Sequence, residues 1–305
     1  MKYLNFKLAA IIAFISVSII GANAFYSNVF KEGCTGICLT SVNDQYAGHG
    51  STLKGEGRPT YNQIKRSATV AVNGASIKSV FVIDYDTGFS LLSSKLFTAK
   101  VNEIKGAAIK GDTVVVRITS PGGSALACAS DYNKVLELKD RGIKVIATVD
   151  YAALSCGYYL AAAADTIYAG SGAWVGNIGS VMVMDASKSA RERTVVGSTR
   201  TKELLVGAVA KGEKDTEILK KLVNLSFVGF RDAVLESRGN KISESDHDVV
   251  FSAMPFSGTN AIKLGLVDAT ATSDALIEDF YYKGYQIILV NYVVKKTLVQ
   301  KLVTG

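Results

Sequence analysis

Short β-branched runs alternate with amphipathic stretches over most of the chain. Ser67–Val72, Ser79–Asp84, Thr113–Thr119 and Lys144–Val149 are dense in Val, Ile and Thr, as strands buried on both faces are. Between them, Leu91–Ile109 and Ser124–Arg141 predict helices, the second closing at Gly142. A longer helix is predicted over 213–238, where Ile218, Leu222, Leu225 and Phe230 recur at helical spacing. Strands alternating with helices predict an α/β architecture, a parallel sheet wrapped by crossover helices. No internal repeat is visible.

The two ends depart from this pattern. Lys2 and Lys7 precede an apolar stretch from Leu8 to Ala22, and Ala22-Asn23-Ala24 is a small-x-small site, so residues 1–24 read as a signal peptide or a membrane anchor. The apolar run is short for a bilayer span of about 20 residues, which favours cleavage. Either outcome carries the remainder of the chain across a membrane. Residues 25–66 are rich in Gly, Ser, Asn and Thr without periodicity and read as an irregular leader. The main domain is expected over 67–280. Residues 281–305 form a basic tail in which Ile287–Val290 precede Lys295, Lys296 and Lys301. This tail reads either as a segment resting on an anionic membrane surface or as a terminal strand plus a solvated helix.

Charge and composition narrow the chemistry. The formal charge of +7 falls to +5 without residues 1–24, and the lysines are spread rather than clustered, so nucleic-acid binding is not supported. The chain holds only two histidines, His49 and His247, which argues against a multi-histidine metal centre and leaves little room for a histidine-based triad. No metal or cofactor is expected, and any catalysis calls for another base. Cys34 and Cys38 form either a disulfide outside the cytoplasm or two free thiols in the leader. Lys31-Glu32-Gly33 before Cys34 lacks the apolar residues of a lipid-attachment site.

Two junctions carry candidate chemistry. Ser120-Pro121-Gly122-Gly123-Ser124 follows a strand and opens a helix, where paired glycines let backbone N–H groups approach a ligand, as in an oxyanion hole or a phosphate cradle. Ala153-Leu154-Ser155-Cys156-Gly157-Tyr158-Tyr159 also follows a strand and runs into the alanine-rich Leu160–Ala164. Ser155 is placed either as a nucleophile, with the next N–H joining an oxyanion hole, or as a helix cap, the commoner role of serine there.

Together these two junctions resemble the paired motifs of the signal peptide peptidase family of serine proteases. Further motifs occur in the same order: Ala162-Ala163-Ala164-Asp165-Thr166-Ile167, Val175-Gly176-Asn177-Ile178-Gly179-Ser180-Val181, Phe256-Ser257-Gly258-Thr259-Asn260-Ala261 and Leu264-Gly265-Leu266-Val267-Asp268. The resemblance covers roughly residues 67–280 and is nearest to the single-unit, SohB-type members. It implies the ClpP/crotonase-like fold and a Ser–Lys dyad with Ser155 as nucleophile. Gly122 and Gly123 fall on the loop that supplies one oxyanion-hole N–H, and Cys156 supplies the other. It also implies hydrophobic peptide substrates, such as residual signal peptides or membrane-protein fragments, and a ring-shaped, membrane-associated homo-oligomer, while the targeting segment 1–24 puts the catalytic domain on the extracytoplasmic side.

The base is placed by chemistry. In Val195-Val196-Gly197-Ser198-Thr199-Arg200-Thr201-Lys202-Glu203, the family's Gly-x-x-Lys spacing lands on Arg200, which stays protonated. Lys202 is the nearest deprotonatable residue and the chosen base, with Lys188 and Lys211 as alternatives. Cys156 stands where the family usually has glycine, and is a lesser candidate nucleophile in its own right. Cys128 reads as a small buried residue, Tyr158 and Tyr159 as packing around the site, and Trp174 as core or an assembly contact. Two other readings stand: a degenerate member that binds peptides or scaffolds membrane proteins, and a crotonase-like acyl-CoA enzyme, against which the export signal argues.

Overall fold

The β-branched runs become the centre of the structure. In the computed structural model, which describes residues 36–43, 78–86, 91–183, 198–205 and 210–293, strands β1 (Gly36–Ser41), β2 (Ser79–Asp86), β3 (Thr113–Thr119), β4 (Lys144–Val149), β6 (Thr166–Ala169), β9 (Ala269–Thr270) and β10 (Gln286–Val293) form one sheet. Its order is β1-β10-β2-β3-β4-β6-β9, and the pairs from β10 to β9 are all parallel. A second sheet, β5-β7-β8, unites β5 (Ala152–Leu154), β7 (Trp174–Gly176) and β8 (Pro255–Ser257). Ile37–Tyr292 make up one compact unit.

The crossovers expected of a parallel sheet are helices α1 (Leu91–Ala107), α2 (Ala125–Lys139) and α3 (Cys156–Ala162). The remaining helices are α4 (Arg200–Leu205), α5 (Gly212–Arg238), α6 (His247–Val250), α7 (Gly258–Lys263) and α8 (Ser273–Tyr282). Alternate residues of the strands feed opposite faces. Phe81, Ile83, Val114, Val116 and Ile118 join the main core under α1, α2 and α3. Val80, Val82, Val115 and Ile146 join a smaller core with Ile277 of α8.

Polar pins fix the helices to both ends of the sheet, near the C-terminal end of β2 and at the N-terminal ends of β6 and β9. Asp131 of α2, fully buried, accepts from the Tyr85 hydroxyl at 2.9 Å and the Ser94 hydroxyl at 2.6 Å. Burial pushes its carboxyl above the ordinary range, against those two hydrogen bonds. At the C-terminal end of α5, buried Arg238 donates to both carboxylate oxygens of Asp268, at 3.1 and 3.0 Å, and to the Gly265 carbonyl at 2.8 Å.

The strand and helix predictions for 79–84, 113–119, 144–149, 91–109, 124–141 and 213–238 each meet an element of the expected type. Two boundaries move. Residues 286–293, placed in the tail with a terminal strand as one of its two readings, form the strand β10, inside the sheet between β1 and β2. Residues 36–41, read as irregular leader, form β1. Both strands are completed by hydrogen bonds to distant segments, which local composition does not report. The predicted strand at 67–72, the targeting segment 1–24 and Lys188 lie outside the described residues. Among the described residues, no helix is long and apolar enough to cross a membrane.

Candidate active site

Ser155 stands at a sharp turn between β5 and α3. Its backbone takes φ 50° and ψ −115°, a left-handed conformation that a residue with a side chain adopts only when its surroundings hold it there. The surroundings are specific. Ser155 N–H donates to the Gly176 carbonyl at 2.9 Å, and the Ser155 carbonyl accepts from Tyr159 N–H at 2.9 Å. Its side chain makes no cap to α3, so the capping role weighed from the sequence is not the one it plays. Among the described residues its hydroxyl makes no hydrogen bond.

The glycine loop lies directly opposite. Ser120 and Ala153 form a parallel bridge, with Ser120 N–H donating to the Ala152 carbonyl at 2.8 Å and Leu154 N–H to the Ser120 carbonyl at 2.9 Å. Past that bridge Gly122 adopts φ +124°, and a Cβ there would sit 3.1 Å from Ser155 Cβ and 3.5 Å from its hydroxyl oxygen. Gly157 serves the same approach, since a Cβ on it would stand 2.8 Å from Ser120 Cβ. The Gly122 N–H is engaged by the Ser120 hydroxyl at 3.2 Å. The N–H groups of Gly123 and Cys156 donate to no acceptor among the described residues. Two unengaged donors beside a half-buried hydroxyl can receive an oxygen that gains negative charge.

Aromatic packing braces the turn from behind. Tyr159 stacks on Tyr132 of α2 at 5.0 Å and packs on Phe230 of α5 at 4.8 Å. Tyr158 is fully buried and its hydroxyl donates to the Leu266 carbonyl at 2.9 Å. Both tyrosines pack as expected. Trp174, on β7, is half exposed rather than core.

The cysteines correct one expectation. Cys128 is buried, as read, but it is disulfide-bonded to Cys156. A sulfur in that bond has no thiolate to offer, so Cys156 is not a nucleophile in this state. Cys38 is also disulfide-bonded.

The lysines stand apart from this turn. Lys202 lies on α4 with its side chain exposed, and among the described residues no hydrogen bond joins it to Ser155. Lys211 is exposed and its backbone N–H donates to Asp215 at 2.7 Å. Arg200 grips Asp215 from α4, Nε at 3.0 Å and Nη2 at 2.5 Å, and also holds Glu203 at 3.0 Å. Those carboxylates push Arg200 even further from deprotonation, which removes it as a base. Arg200, with the Lys211 N–H, holds the Asp215 carboxyl at about 2. Lys100 on α1 was not among the sequence candidates. Its ammonium is pushed down by burial and donates to the Asp84 carbonyl at 3.1 Å. It makes no hydrogen bond with Ser155. A lysine placed among apolar helix positions was the available signal.

An open apolar groove of about 660 Å³ runs beside the segment after Gly176. Ile178, Met182, Leu219, Val223, Phe227 and Phe251 line it, and Ser155 does not. Among the described residues no group of His, Cys, Asp and Glu side chains could hold a metal ion.

Known proteins share much of this chain. Residues 137–282 match peptidase family S49. The chain is 30% identical over 239 residues to a probable protease SohB of Haemophilus influenzae, a match covering 73% of the chain and 63% of that protein. It is 30% identical over 190 residues to a Na(+)/H(+) antiporter NhaA of Brucella abortus, covering 60% of the chain and 26% of that protein. A putative signal peptide peptidase SppA of Enterococcus faecium is 22% identical over 259 residues, covering 79% and 74%. The chain thus spans less than two thirds of the length of the first two relatives. Among solved structures, a membrane-bound stomatin-specific protease in complex with a substrate peptide aligns at 14% identity, covering 75% of this chain and 98% of that one, with a TM-score of 0.44.

Proposed function

From the match of residues 137–282 to peptidase family S49 and the 30% identity to a probable SohB protease, we propose that this chain is a serine endopeptidase of the SohB/SppA type, working through Ser155 and Lys202 on a ClpP/crotonase-like fold. Ser155 Oγ attacks the peptide carbonyl carbon while its proton passes to Lys202. The carbonyl oxygen, now carrying the charge, is held by the N–H groups of Gly123 and Cys156, with Gly122 allowing the close approach. Collapse of the adduct expels the amine, which takes the proton from Lys202. Water then repeats the sequence on the acyl-enzyme and frees Ser155.

The observation that carries this reading is the approach of Gly122 to Ser155, with Ser155 held at φ 50°. A turn that serves only to connect β5 to α3 has no need of either. Lysine becomes a base only when water leaves it, so an exposed Lys202 must be covered by bound substrate or by an adjoining subunit. The apolar groove beside the 176–180 segment supports extended hydrophobic substrates, as residual signal peptides or membrane-protein fragments are. Cys128–Cys156 and the bonded Cys38 support an extracytoplasmic catalytic domain, where disulfides persist. Export by residues 1–24, cleaved as a signal peptide or kept as a membrane anchor, and a ring-shaped homo-oligomer complete the proposal.

A second reading has one observation in its favour. The missing link between Lys202 and Ser155 fits a degenerate member that binds peptides without cleaving them. The test is cleavage of a quenched hydrophobic peptide, together with covalent labelling by a fluorophosphonate. Ser155→Ala is expected to abolish both, Lys202→Ala to lower cleavage by about three orders of magnitude, and Lys211→Ala to leave it within a few-fold. Peptide binding without cleavage or labelling by the unaltered protein would establish the degenerate member instead.

A further inference from the structure

The two walls of the proposed oxyanion hole are joined twice, by different means. On one flank the Ser120–Ala153 bridge ties the glycine loop to β5 before either wall reaches its functional residues. On the other, Cys128 in the first turn of α2 is disulfide-bonded to Cys156, the first residue of α3, with Cα atoms 5.3 Å apart. Both cysteines are buried, 3% and 4% exposed. Both sulfurs pack on the carbonyl oxygen of Ser124, at 2.8 and 3.5 Å. Gly123 adjoins Ser124, and Cys156 adjoins Ser155. The covalent link therefore joins the two segments that carry the N–H donors, and one of its cysteines carries one of them on its own backbone.

We propose that the Cys128–Cys156 disulfide is a positioning device for the oxyanion hole, so that turnover depends on the thiol redox state of the protein. This rests on the serine-peptidase reading above. Cys128 touches no substrate and acts through Cys156 and the loop at Gly123. With the bond intact, α2 and α3 hold the two donors at a fixed separation. With it broken, each thiol has the Ser124 carbonyl as an acceptor and the walls are free to part. Displacing a catalytic group by about 1 Å costs about a hundredfold in rate. Losing one oxyanion donor costs about 10²–10³.

Dithiothreitol supplies the reduction. One of its thiolates attacks a sulfur of the bond, giving a mixed disulfide and releasing the other cysteine as a thiolate. Its second thiol then closes on the first, leaving cyclic oxidised dithiothreitol. Two electrons and two protons pass to the cysteine pair.

The experiment measures kcat and KM on a quenched hydrophobic peptide, and the rate of Ser155 labelling by a fluorophosphonate. The unaltered protein is compared oxidised, reduced with thiols counted by alkylation and mass, and reoxidised. Cys128→Ala, Cys156→Ala and the double variant accompany it, well below their melting temperatures. Reduction is expected to lower kcat and the labelling rate ten- to a hundredfold with KM within about threefold, and reoxidation to restore both. Cys128→Ala and Cys156→Ala should match each other, since each breaks the same bond and leaves the Cys156 N–H in place. The double variant should be no slower than either and indifferent to dithiothreitol, which separates this bond from that of Cys38. If a cysteine variant does not fold, the reduction and reoxidation of the unaltered protein decide the question. Unchanged kcat and labelling in protein whose thiols are free overturns the inference and leaves the serine reading standing. No labelling of the oxidised protein at Ser155 overturns that reading, and the inference with it.

Discussion

The segment that carries Ser155 and the segment that carries Lys202 are built in opposite ways. Around Ser155, Ala153, Cys156, Gly157 and Tyr158 are all buried, and the turn is held by a strand bridge, a disulfide and the Tyr132–Tyr159–Phe230 cluster. In α4 only Leu204 is buried, and in α5 only Asp215 is buried before Phe230. What joins α4 to α5 is mainly the grip of Arg200 on Asp215, a carboxylate covered by its partners rather than by the core. The difference suits the proposed chemistry. An oxyanion site works by being fixed before the substrate arrives, whereas a lysine base must change its exposure to water during the cycle.

The largest expected effect tests the fixed half. Gly122→Ala puts a Cβ at φ +124°, against Ser155, and should cut kcat by about two to three orders of magnitude. Circular dichroism and melting temperature should change little by comparison. Near-normal turnover would break the claim that this loop must lie against the nucleophile.

A smaller effect is expected from the adjustable half. Asp215→Asn leaves the fold intact but loosens α4, with kcat falling about tenfold, as for a displaced general base rather than a lost one. Hydrogen exchange should quicken over Arg200–Leu205 and stay unchanged over Cys156–Ala162. Equal quickening in both segments would dissolve the contrast.

The smallest effect is the acid response. The Asp215 carboxyl is held at about 2, below its ordinary 3.8, by Arg200 and the Lys211 N–H. A depressed pKa contributes stability above the ordinary value and loses it as pH falls through the depressed one. Order at the α4–α5 junction should therefore be complete above about pH 4 and lost towards pH 2. Exchange rates read across that interval check it, and Asp215→Asn should flatten the response.

Sequence reading served the two halves unequally for the same reason. Thr113–Thr119 and Lys144–Val149 are strands buried by neighbours on both sides, and such strands announce themselves by unbroken β-branched runs. Ser155 and the paired glycines were legible because a turn under steric demand restricts its residues. Lys202 had no such context, since an exposed lysine on a short helix looks like any other surface lysine. The Cys128–Cys156 pairing was hidden because four cysteines allow three connectivities, and nothing local distinguishes them. Ile287–Val290 read as a strand-like run in a tail because its partner, Ser79–Ile83, lies some two hundred residues earlier.

That last pairing sets an order of events. β2, β3 and β4 and the helices between them can assemble as the chain emerges, because each strand meets its neighbour after one crossover. The flank of β2 along Ser79–Ile83 stays an open row of hydrogen-bonding groups until Gln286–Val290 arrives. Closing so wide a loop is slow compared with building the local crossovers. Until β10 pairs with it, that flank of β2 is an edge open to foreign strands. Completion of the sheet by β10 is then the step that turns a sticky, half-built chain into a sealed one.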